Sequence, residues 1–179
     1  LIDLMHGSQV VLHRQPVSLQ ELLQEATAAI MPKATARSIT VSCQLPDEPL
    51  PLEVDRSRCL AALGYLLDNA VKFNHDQGRV DIQVSSTEQM AQVRIQDTGI
   101  GIPFEEHEKV FAPFYQVDRA LSRAYEGAGI GLTLAKRYIE LHGGVLQLSS
   151  EVGVGTTVVL GLPRPAIAVT LPTLQPTVL

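Results

Sequence analysis

The sequence predicts an α/β fold, a two-layer α/β sandwich with a mixed sheet of about five strands and about three helices. Alternating apolar and polar residues in five segments indicate β-strands, at 38–44, 78–86, 91–99, 145–150 and 156–163. Apolar residues at helical spacing indicate helices near 18–35, 55–74 and 129–142. With 179 residues, of which 45% are hydrophobic, the chain can bury a core of about one domain.

Signals at the element boundaries support this assignment. Ser18, followed three residues later by Glu21, predicts the start of the first helix. Asp55 predicts the N-cap of the second helix, and the pair Gly143-Gly144 predicts the end of the third. The strands 78–86 and 91–99 are separated by a short turn, so we expect them to pair as neighbours.

Composition and charge exclude several classes of function. The formal net charge is −5 and there is no basic run, which argues against a nucleic-acid partner. Cys43 and Cys59 have neither metal-binding nor redox spacing, so we expect ordinary reduced thiols. No apolar run approaches the roughly 18 residues that span a bilayer, and no signal peptide is visible. We therefore expect a cytoplasmic domain, without membrane insertion by this segment. The chain begins with Leu1 and not with Met, so we expect it to be part of a longer protein.

The helix predicted over 55–74 has two different faces. Its apolar side is formed by Leu60, Leu63, Leu67, Ala70, Val71 and Asn74. The opposite side is formed by Tyr65, Asp68, Asn69 and Lys72, at offsets of three, four and seven. A solvated surface is the simpler interpretation of these polar groups. An asparagine within a helix lowers helix propensity, however, which favours a functional role for Asn69.

Three glycine-rich stretches lie further along the chain. The first, DTGIGIP at 97–103, places Asp97 at a strand end before glycines that let backbone approach a ligand. The second, GAGIGL at 127–132, leads into a helix whose N-terminus favours anions, although it is neither a dinucleotide fingerprint nor a P-loop. The third, GVGTT at 153–157, precedes a strand. Each stretch alone is compatible with a simple turn, but their occurrence in this order after the asparagine-bearing helix indicates a ligand site.

Together these stretches resemble the conserved boxes of the ATP-binding catalytic domain of sensor histidine kinases in two-component signalling. LLDNAVKFN at 66–74 resembles the N box, DTGIGIP the G1 box and VFAPFYQVD at 110–118 the F box. GAGIGLTLAKRYIELHGG at 127–144 resembles the G2 box, and GVGTT a G3-type turn. The resemblance covers roughly 16–162 and implies the Bergerat ATP-binding sandwich, which DNA gyrase and a heat-shock chaperone share.

The resemblance also implies roles for individual residues. Asn69 would coordinate Mg²⁺ through its amide oxygen and Lys72 would contact phosphate, and both would be catalytic. Asp97 would accept the exocyclic amine of adenine, with Thr156 near the adenine edge. The remaining implied nucleotide-binding residues are Phe73, Gly99, Gly101, Ile102, Gly127, Gly129, Gly131 and Leu132. Residues 103–127 would form a lid over the phosphates, anchored by Phe111 and Phe114.

The implied reaction transfers the γ-phosphoryl group of ATP to a histidine on an upstream dimerisation domain, for relay to an aspartate of a response regulator. The implied organisation is the end of a dimerisation helix and its linker in 1–15, the catalytic domain in 16–162, and a Pro-rich tail or linker in 163–179. His6 and His13 lack the sequence context of the family's phosphoacceptor. We therefore expect the acceptor to lie upstream, in a full-length protein that is a homodimer.

Two positions depart from the family pattern. Tyr65 stands where the N box commonly has a second asparagine, and Gln116 stands where an arginine often follows the F box. Arg119 or Arg123 would then be the catalytic cation near the γ-phosphate. These departures keep open a degenerate kinase that acts as a nucleotide-binding or protein-interaction module. A gyrase-type or anti-sigma serine kinase ATPase is a further alternative, which the FAPFY motif counts against.

Overall fold

The computed structural model describes residues 10–117 and 129–165. Seven strands occur there, β1 (Gln15–Ser18), β2 (Thr40–Gln44), β3 (Pro51–Val54), β4 (Arg79–Ser86), β5 (Met90–Asp97), β6 (Val145–Glu151) and β7 (Gly155–Pro163). Five of them form the main sheet in the spatial order β2-β4-β5-β7-β6. Strand β2 is parallel to β4, whereas the other neighbours are antiparallel. The predicted mixed sheet of five strands, with the 78–86 and 91–99 strands as neighbours, is confirmed.

Three α-helices lie in the described ranges, α1 (Leu19–Ala36), α2 (Arg56–Lys72) and α3 (Gly131–Leu141). Their predicted boundary signals are present. The Ser18 hydroxyl accepts a hydrogen bond from the Glu21 amide at 3.4 Å, and the Asp55 carboxylate accepts one from the Arg58 amide at 3.2 Å. Gly143 follows α3 with a φ of 78°, a left-handed conformation that glycine adopts without strain.

The core lies between the helices and one face of the main sheet. Helix α2 lies beside both α1 and α3, and its buried residues are Cys59, Ala62, Leu63, Leu66, Leu67, Ala70 and Val71. They belong to the same buried cluster as Val80, Ile82, Val93 and Ile95 of the central strands. Alternate residues of β4 and β5, such as Gln83, Gln92 and Arg94, are exposed. This alternation shows that the helices cover only one face of the central strands in the described part of the chain.

A second, two-stranded sheet was not predicted. Strand β1 pairs with β3 in antiparallel orientation, and each strand is only four residues long and contains a proline. Proline lacks the N–H that a central strand needs, so the prolines weakened the sequence signal for these strands. Proline is nevertheless compatible with strand ends and with edge strands. Because β1 leads into α1 and β3 leads towards α2, this small sheet holds the beginnings of the two helices together.

A buried histidine links the end of α3 to the start of α2. His142 is 1% exposed, and its ring contacts the Tyr138 carbonyl through Nδ1 at 2.6 Å and the Asp55 amide through Nε2 at 2.9 Å. A carbonyl can only accept and an amide can only donate, so Nδ1 carries the proton and the ring is neutral. Burial lowers the pKa of His142, and the hydrogen bond to Tyr138 only partly opposes that effect.

This histidine predicts a pH-dependent stability. As the pH falls below about 6.5, the unfolded chain takes up a proton before the folded chain does, so the free energy of unfolding should decrease. The loss should continue until the pH passes the lowered pKa of folded His142. Urea denaturation between pH 8 and pH 5.5 measures this slope. His142→Gln should flatten it, whereas the same change at exposed His75 should have a smaller effect; equal slopes in wild type and His142→Gln would contradict the assignment.

Candidate functional site

Of the four residues on the predicted polar face of α2, Tyr65 packs against the core, whereas the other three are half-buried polar side chains. Asn69 and Lys72 are both half-buried, and the Lys72 ammonium lies 4.8 Å from the centre of the Phe73 ring. Asp68 forms an ion pair with Lys33 of α1, which accounts for the one polar residue to which the sequence assigned no role. Tyr65 lies against the start of α3, because a Cβ added at Gly131 would be 3.4 Å from the Tyr65 ring.

Asp97 ends β5 with two differently placed carboxylate oxygens. Its Oδ1 accepts hydrogen bonds from the Gly99 amide at 2.8 Å and the Thr156 amide at 3.1 Å. Its Oδ2 accepts none from any residue in 10–117 or 129–165, and it is not shielded completely from solvent. Burial raises the pKa of Asp97, and the two hydrogen bonds act in the opposite direction. The carboxylate is thus fixed through one oxygen and offers the other as an acceptor.

The glycines after Asp97 bring three segments together. A Cβ at Gly99 would lie 2.3 Å from the Phe73 carbonyl oxygen, and the Ile100 amide donates to that same oxygen at 3.0 Å. On the other side, Gly101 has a φ of 72°, and a Cβ there would lie 2.0 Å from the Glu151 carbonyl oxygen. The loop therefore fits between the end of α2 and the end of β6 only because these two residues have no side chain.

A serine that the sequence did not single out connects the same segments. The Ser150 hydroxyl accepts from the Ile102 amide at 2.8 Å and donates to the Gly155 carbonyl at 2.9 Å. It also lies 2.8 Å from the Thr156 hydroxyl, its partner across the β6–β7 ladder. Only the register of these two strands reveals the contact, so no local sequence signal could have identified it.

Two further residues fix the end of α2. Asn74 is fully buried, donates to the Ala70 and Arg79 carbonyls, and accepts through Oδ1 from the Thr98 hydroxyl at 3.2 Å. The predicted position of Asn74 on the packed side of α2 is therefore correct, and hydrogen bonds compensate for its burial. The guanidinium of Arg37 reaches the last carbonyls of the helix and its C-cap region. Its acceptors are the carbonyl oxygens of Val71 at 2.7 Å, Lys72 at 2.9 Å and Asn74 at 2.6 Å.

The segment after the glycine loop approaches α3 through two phenylalanines. Phe111 packs against the core, and its carbonyl accepts from the Thr133 hydroxyl at 2.9 Å. Phe114 is 64% exposed, so its ring is not an anchor, but its amide donates to the Gly129 carbonyl at 3.0 Å. Residues 114 and 129 are therefore in contact. The candidate residues Arg119, Arg123 and Gly127 lie outside the described residues.

The predicted site residues thus occupy two neighbouring groups. Around the strand end, Asp97, Gly99, Gly101, Ile102, Thr156 and Phe73 are joined by contacts within the loop and the β6–β7 turn. Asn69 and Lys72 are on the same helix end as Phe73. Gly129, Gly131 and partly buried Leu132 lie where α3 begins, beside Tyr65 of α2. Helix α2 therefore borders both groups.

A separate groove contains none of these predicted site residues. It has a volume of about 750 Å³ and lies along β6, the edge strand of the main sheet. His107, Phe111, Lys136 and Leu148 are among the residues that line it. This groove is therefore distinct from the region around Asp97, where the directed polar groups are found.

The fold and the contacts around Asp97 agree with the class that the sequence predicted, a nucleotide-binding α/β sandwich. Residues 54–166 match the family model described as histidine kinase-, DNA gyrase B- and HSP90-like ATPase. The match includes more than half of the chain, so the chain belongs to this family. Within the described ranges, no helix combines the length and the apolar character needed to cross a membrane.

Known relatives narrow the assignment within the family. The chain is 35% identical over 168 residues to the circadian input-output histidine kinase CikA of Synechococcus elongatus, covering 92% of this chain and 22% of CikA. It is 39% identical over 121 residues to the sensor histidine kinase WalK of Bacillus subtilis, covering 66% of this chain and 20% of WalK. The chain spans about a fifth of the length of these curated relatives.

A solved structure supports the same assignment. The crystal structure of full-length ShkA in complex with AMPPNP aligns with a TM-score of 0.74 at 26% identity, covering 90% of this chain and 33% of ShkA. Sequence and structure therefore agree that the chain is an ATP-binding domain of the kind found in sensor histidine kinases. The predicted fold class and family are both confirmed.

Proposed function

We propose that the chain binds ATP with Mg²⁺ and, as part of a longer protein, transfers the γ-phosphoryl group to a histidine on an upstream dimerisation domain. A response-regulator aspartate is the next acceptor. The observation that carries this proposal is the Asp97 carboxylate, held by two backbone amides through Oδ1 and offering Oδ2 beside the end of α2. The relatives named as histidine kinases support the choice of reaction.

In this proposal the strand end binds the adenine base. Asp97 Oδ2 accepts a hydrogen bond from the exocyclic amine, and Thr156 lies next to it. Gly99 and Gly101 keep the loop close to Phe73 and β6, so the base meets backbone instead of bulky side chains. Phe73 and Ile102 contribute the apolar contacts that ligand pockets require around a few directed polar groups.

The polar face of α2 and the start of α3 bind the phosphates and the metal. Asn69 offers an amide oxygen, and Lys72 offers a point charge for phosphate. No group of three or more His, Cys, Asp or Glu side chains in the described ranges is arranged to hold a metal. Mg²⁺ commonly keeps several waters and substrate phosphates as ligands, so in this proposal it would take only the Asn69 oxygen from the protein. When bound, it would neutralise negative charge on the phosphates.

The glycine-rich segment completes the phosphate end of the proposed site. Gly127, Gly129 and Gly131 supply backbone around the phosphates, with Leu132 in the first turn of α3, whose N-terminus favours an anion. Arg119 or Arg123 supplies the positive charge that Gln116 lacks. In this arrangement the domain contributes positioning and electrostatic stabilisation, which are what phosphoryl transfer needs from a protein.

For the whole protein we propose a cytoplasmic homodimer. Residues 1–15 contain the end of the dimerisation helix and its linker, 16–162 form the catalytic domain, and 163–179 form a tail or linker. Two hydrogen bonds of residues 13 and 14 support a linker that packs against the catalytic domain. The His13 amide donates to Asp55 at 3.2 Å, and the Arg14 guanidinium donates to the Leu141 carbonyl at 3.3 Å.

A second candidate function is nucleotide-dependent or purely structural protein interaction without kinase activity. Tyr65 favours this function. It occupies the position at which the family commonly has a second metal-binding asparagine, and its ring packs on Gly131. A phenol at this place does not provide the amide oxygen that would otherwise face the metal.

Autophosphorylation separates the two functions. A longer version of the protein that includes the upstream helices would be incubated with γ-labelled ATP and Mg²⁺, with a variant lacking the acceptor histidine as the control. Acid-labile label that disappears in the control supports the kinase. Nucleotide binding without label supports the interaction module, and steady ATP hydrolysis by the 179-residue chain alone would favour a gyrase-type ATPase.

A further inference from the structure

Ser150 has a role that the family resemblance does not assign. We infer that Ser150 is a positioning residue for base selection, because it fixes the Thr156 hydroxyl so that this hydroxyl presents an acceptor, not a donor, to the nucleotide base. The inference rests on the proposed function, since it assumes that the base binds beside Asp97 and Thr156.

The hydrogen-bond geometry determines where each proton lies. A serine hydroxyl has one proton to donate and two lone pairs that accept. The Gly155 carbonyl can only accept, so Ser150 donates its proton there, at 2.9 Å. The Ile102 amide can only donate, and it uses one lone pair of Ser150 at 2.8 Å. The remaining 2.8 Å contact with Thr156 must therefore have Thr156 as the donor.

This arrangement sets the polarity of the site. The Thr156 proton is directed to Ser150, so the Thr156 oxygen has only lone pairs to offer elsewhere. Next to it, Asp97 Oδ1 is occupied by the Gly99 and Thr156 amides, and Oδ2 is an acceptor. Both side chains therefore present acceptors, which complement the exocyclic amine of adenine. Guanine carries a carbonyl oxygen at the corresponding position and would place lone pair against lone pair.

Loss of the Ser150 hydroxyl would remove this control. Without that acceptor the Thr156 hydroxyl can rotate and donate to a ligand, so a carbonyl on the base becomes acceptable. The Ile102 amide and the Gly155 carbonyl also lose their partner, which loosens the loop and the turn on both sides of Asp97. The consequence specific to base selection is a change in the ratio of affinities for adenine and guanine nucleotides.

Calorimetric titration of the 179-residue chain with ADP and with GDP tests the inference. In Ser150→Ala we expect the preference for ADP over GDP to fall about tenfold, since the released Thr156 hydroxyl can donate one hydrogen bond to the guanine carbonyl. Ser149→Ala is the matched control, because Ser149 is the exposed neighbour on the other face of β6 and should keep the wild-type ratio. Ser150→Thr retains the hydroxyl and should restore the preference.

The ratio of two affinities is independent of the folded fraction, so general destabilisation cannot imitate the expected result. If Ser150→Ala does not fold, Ser150→Cys replaces it, because a thiol is only a weak donor and acceptor. If a folded Ser150→Ala or Ser150→Cys variant keeps the wild-type ratio of ADP to GDP affinity, this inference is wrong, but the proposed function is not affected. Absence of ADP binding in the wild-type chain would overturn the proposed function and this inference with it.

Discussion

Asp97→Asn should reduce the affinity of the chain for ADP by at least about 100-fold, the cost of turning a directed charge-assisted contact into a repulsive one. The Gly99 and Thr156 amides both donate to Oδ1, so the carbonyl oxygen of the introduced asparagine should take this place. Its NH₂ group then occupies the position of Oδ2 and directs a donor at the donor amine of adenine. The substitution is nearly isosteric, but it inverts the polarity of the only part of the side chain that we propose to contact the base.

Calorimetry with ADP measures this loss, and thermal unfolding of the same sample reports on the fold. Burial raises the pKa of Asp97, which means that the charge is unfavourable in the absence of a ligand. Removing it should therefore leave the melting temperature of the ligand-free chain unchanged or higher. Asp47→Asn is the matched control, since this exposed position carries the same change of charge. Binding of ADP to Asp97→Asn with wild-type affinity would refute the assignment of the base site.

Asn69→Ala should abolish Mg²⁺-dependent phosphoryl transfer, with a decrease of at least about 100-fold in rate, because the protein would lose its proposed oxygen ligand for the metal. Asn69→Asp should likewise remove the activity, because a carboxylate replaces the neutral amide beside the phosphates. ADP binding measured without Mg²⁺ should persist, since the adenine contacts at Asp97 remain. The fold should also persist, because Asn69 is only half-buried and is not one of the buried residues of α2.

Asn74→Ala provides the contrast within the same helix end. Asn74 is fully buried and makes hydrogen bonds through both its amide nitrogen and its amide oxygen, so its loss should lower the free energy of unfolding by about 2 kcal/mol or more. Urea denaturation of both variants, next to phosphotransfer assays in the longer protein, distinguishes the two roles. Full activity of Asn69→Ala would refute the metal role of Asn69.

Much of this fold could be predicted because its signals are local. The N-cap at Asp55 needs only its own helix, and the five strands of the main sheet show alternation within each segment. The two faces of α2 follow from the helical period alone. Asn69 and Asp97 could be proposed because their residue types are unusual at a helix face and before a glycine turn.

The features that could not be predicted depend on contacts between distant parts of the chain. Arg37 stabilises the end of α2 although 35 residues separate it from Lys72. Ser150 acquires its role partly from the Ile102 amide, which is 48 positions away in the sequence, and partly through the register of β6 against β7. Strands β1 and β3 are short and contain prolines, so they are recognisable only once they lie next to each other.

The register of β6 against β7 restricts which changes of length the chain can accept. Glu151 faces Gly155 across the ladder, and the turn between them includes Val152 and Val154, which are 62% and 60% exposed. Because both side chains are exposed, substitutions at these two positions should change the packing of the turn very little. A single inserted or deleted residue, in contrast, would either distort the turn or shift the pairing by one step, and such a shift sends each side chain of one strand to the opposite face of the sheet. Ser150 would then no longer lie across from Thr156. In this turn, changes of residue type are therefore tolerated at Val152 and Val154, but not at Gly155, where a Cβ would lie 2.1 Å from the Asp97 carbonyl oxygen, and changes of length are not tolerated.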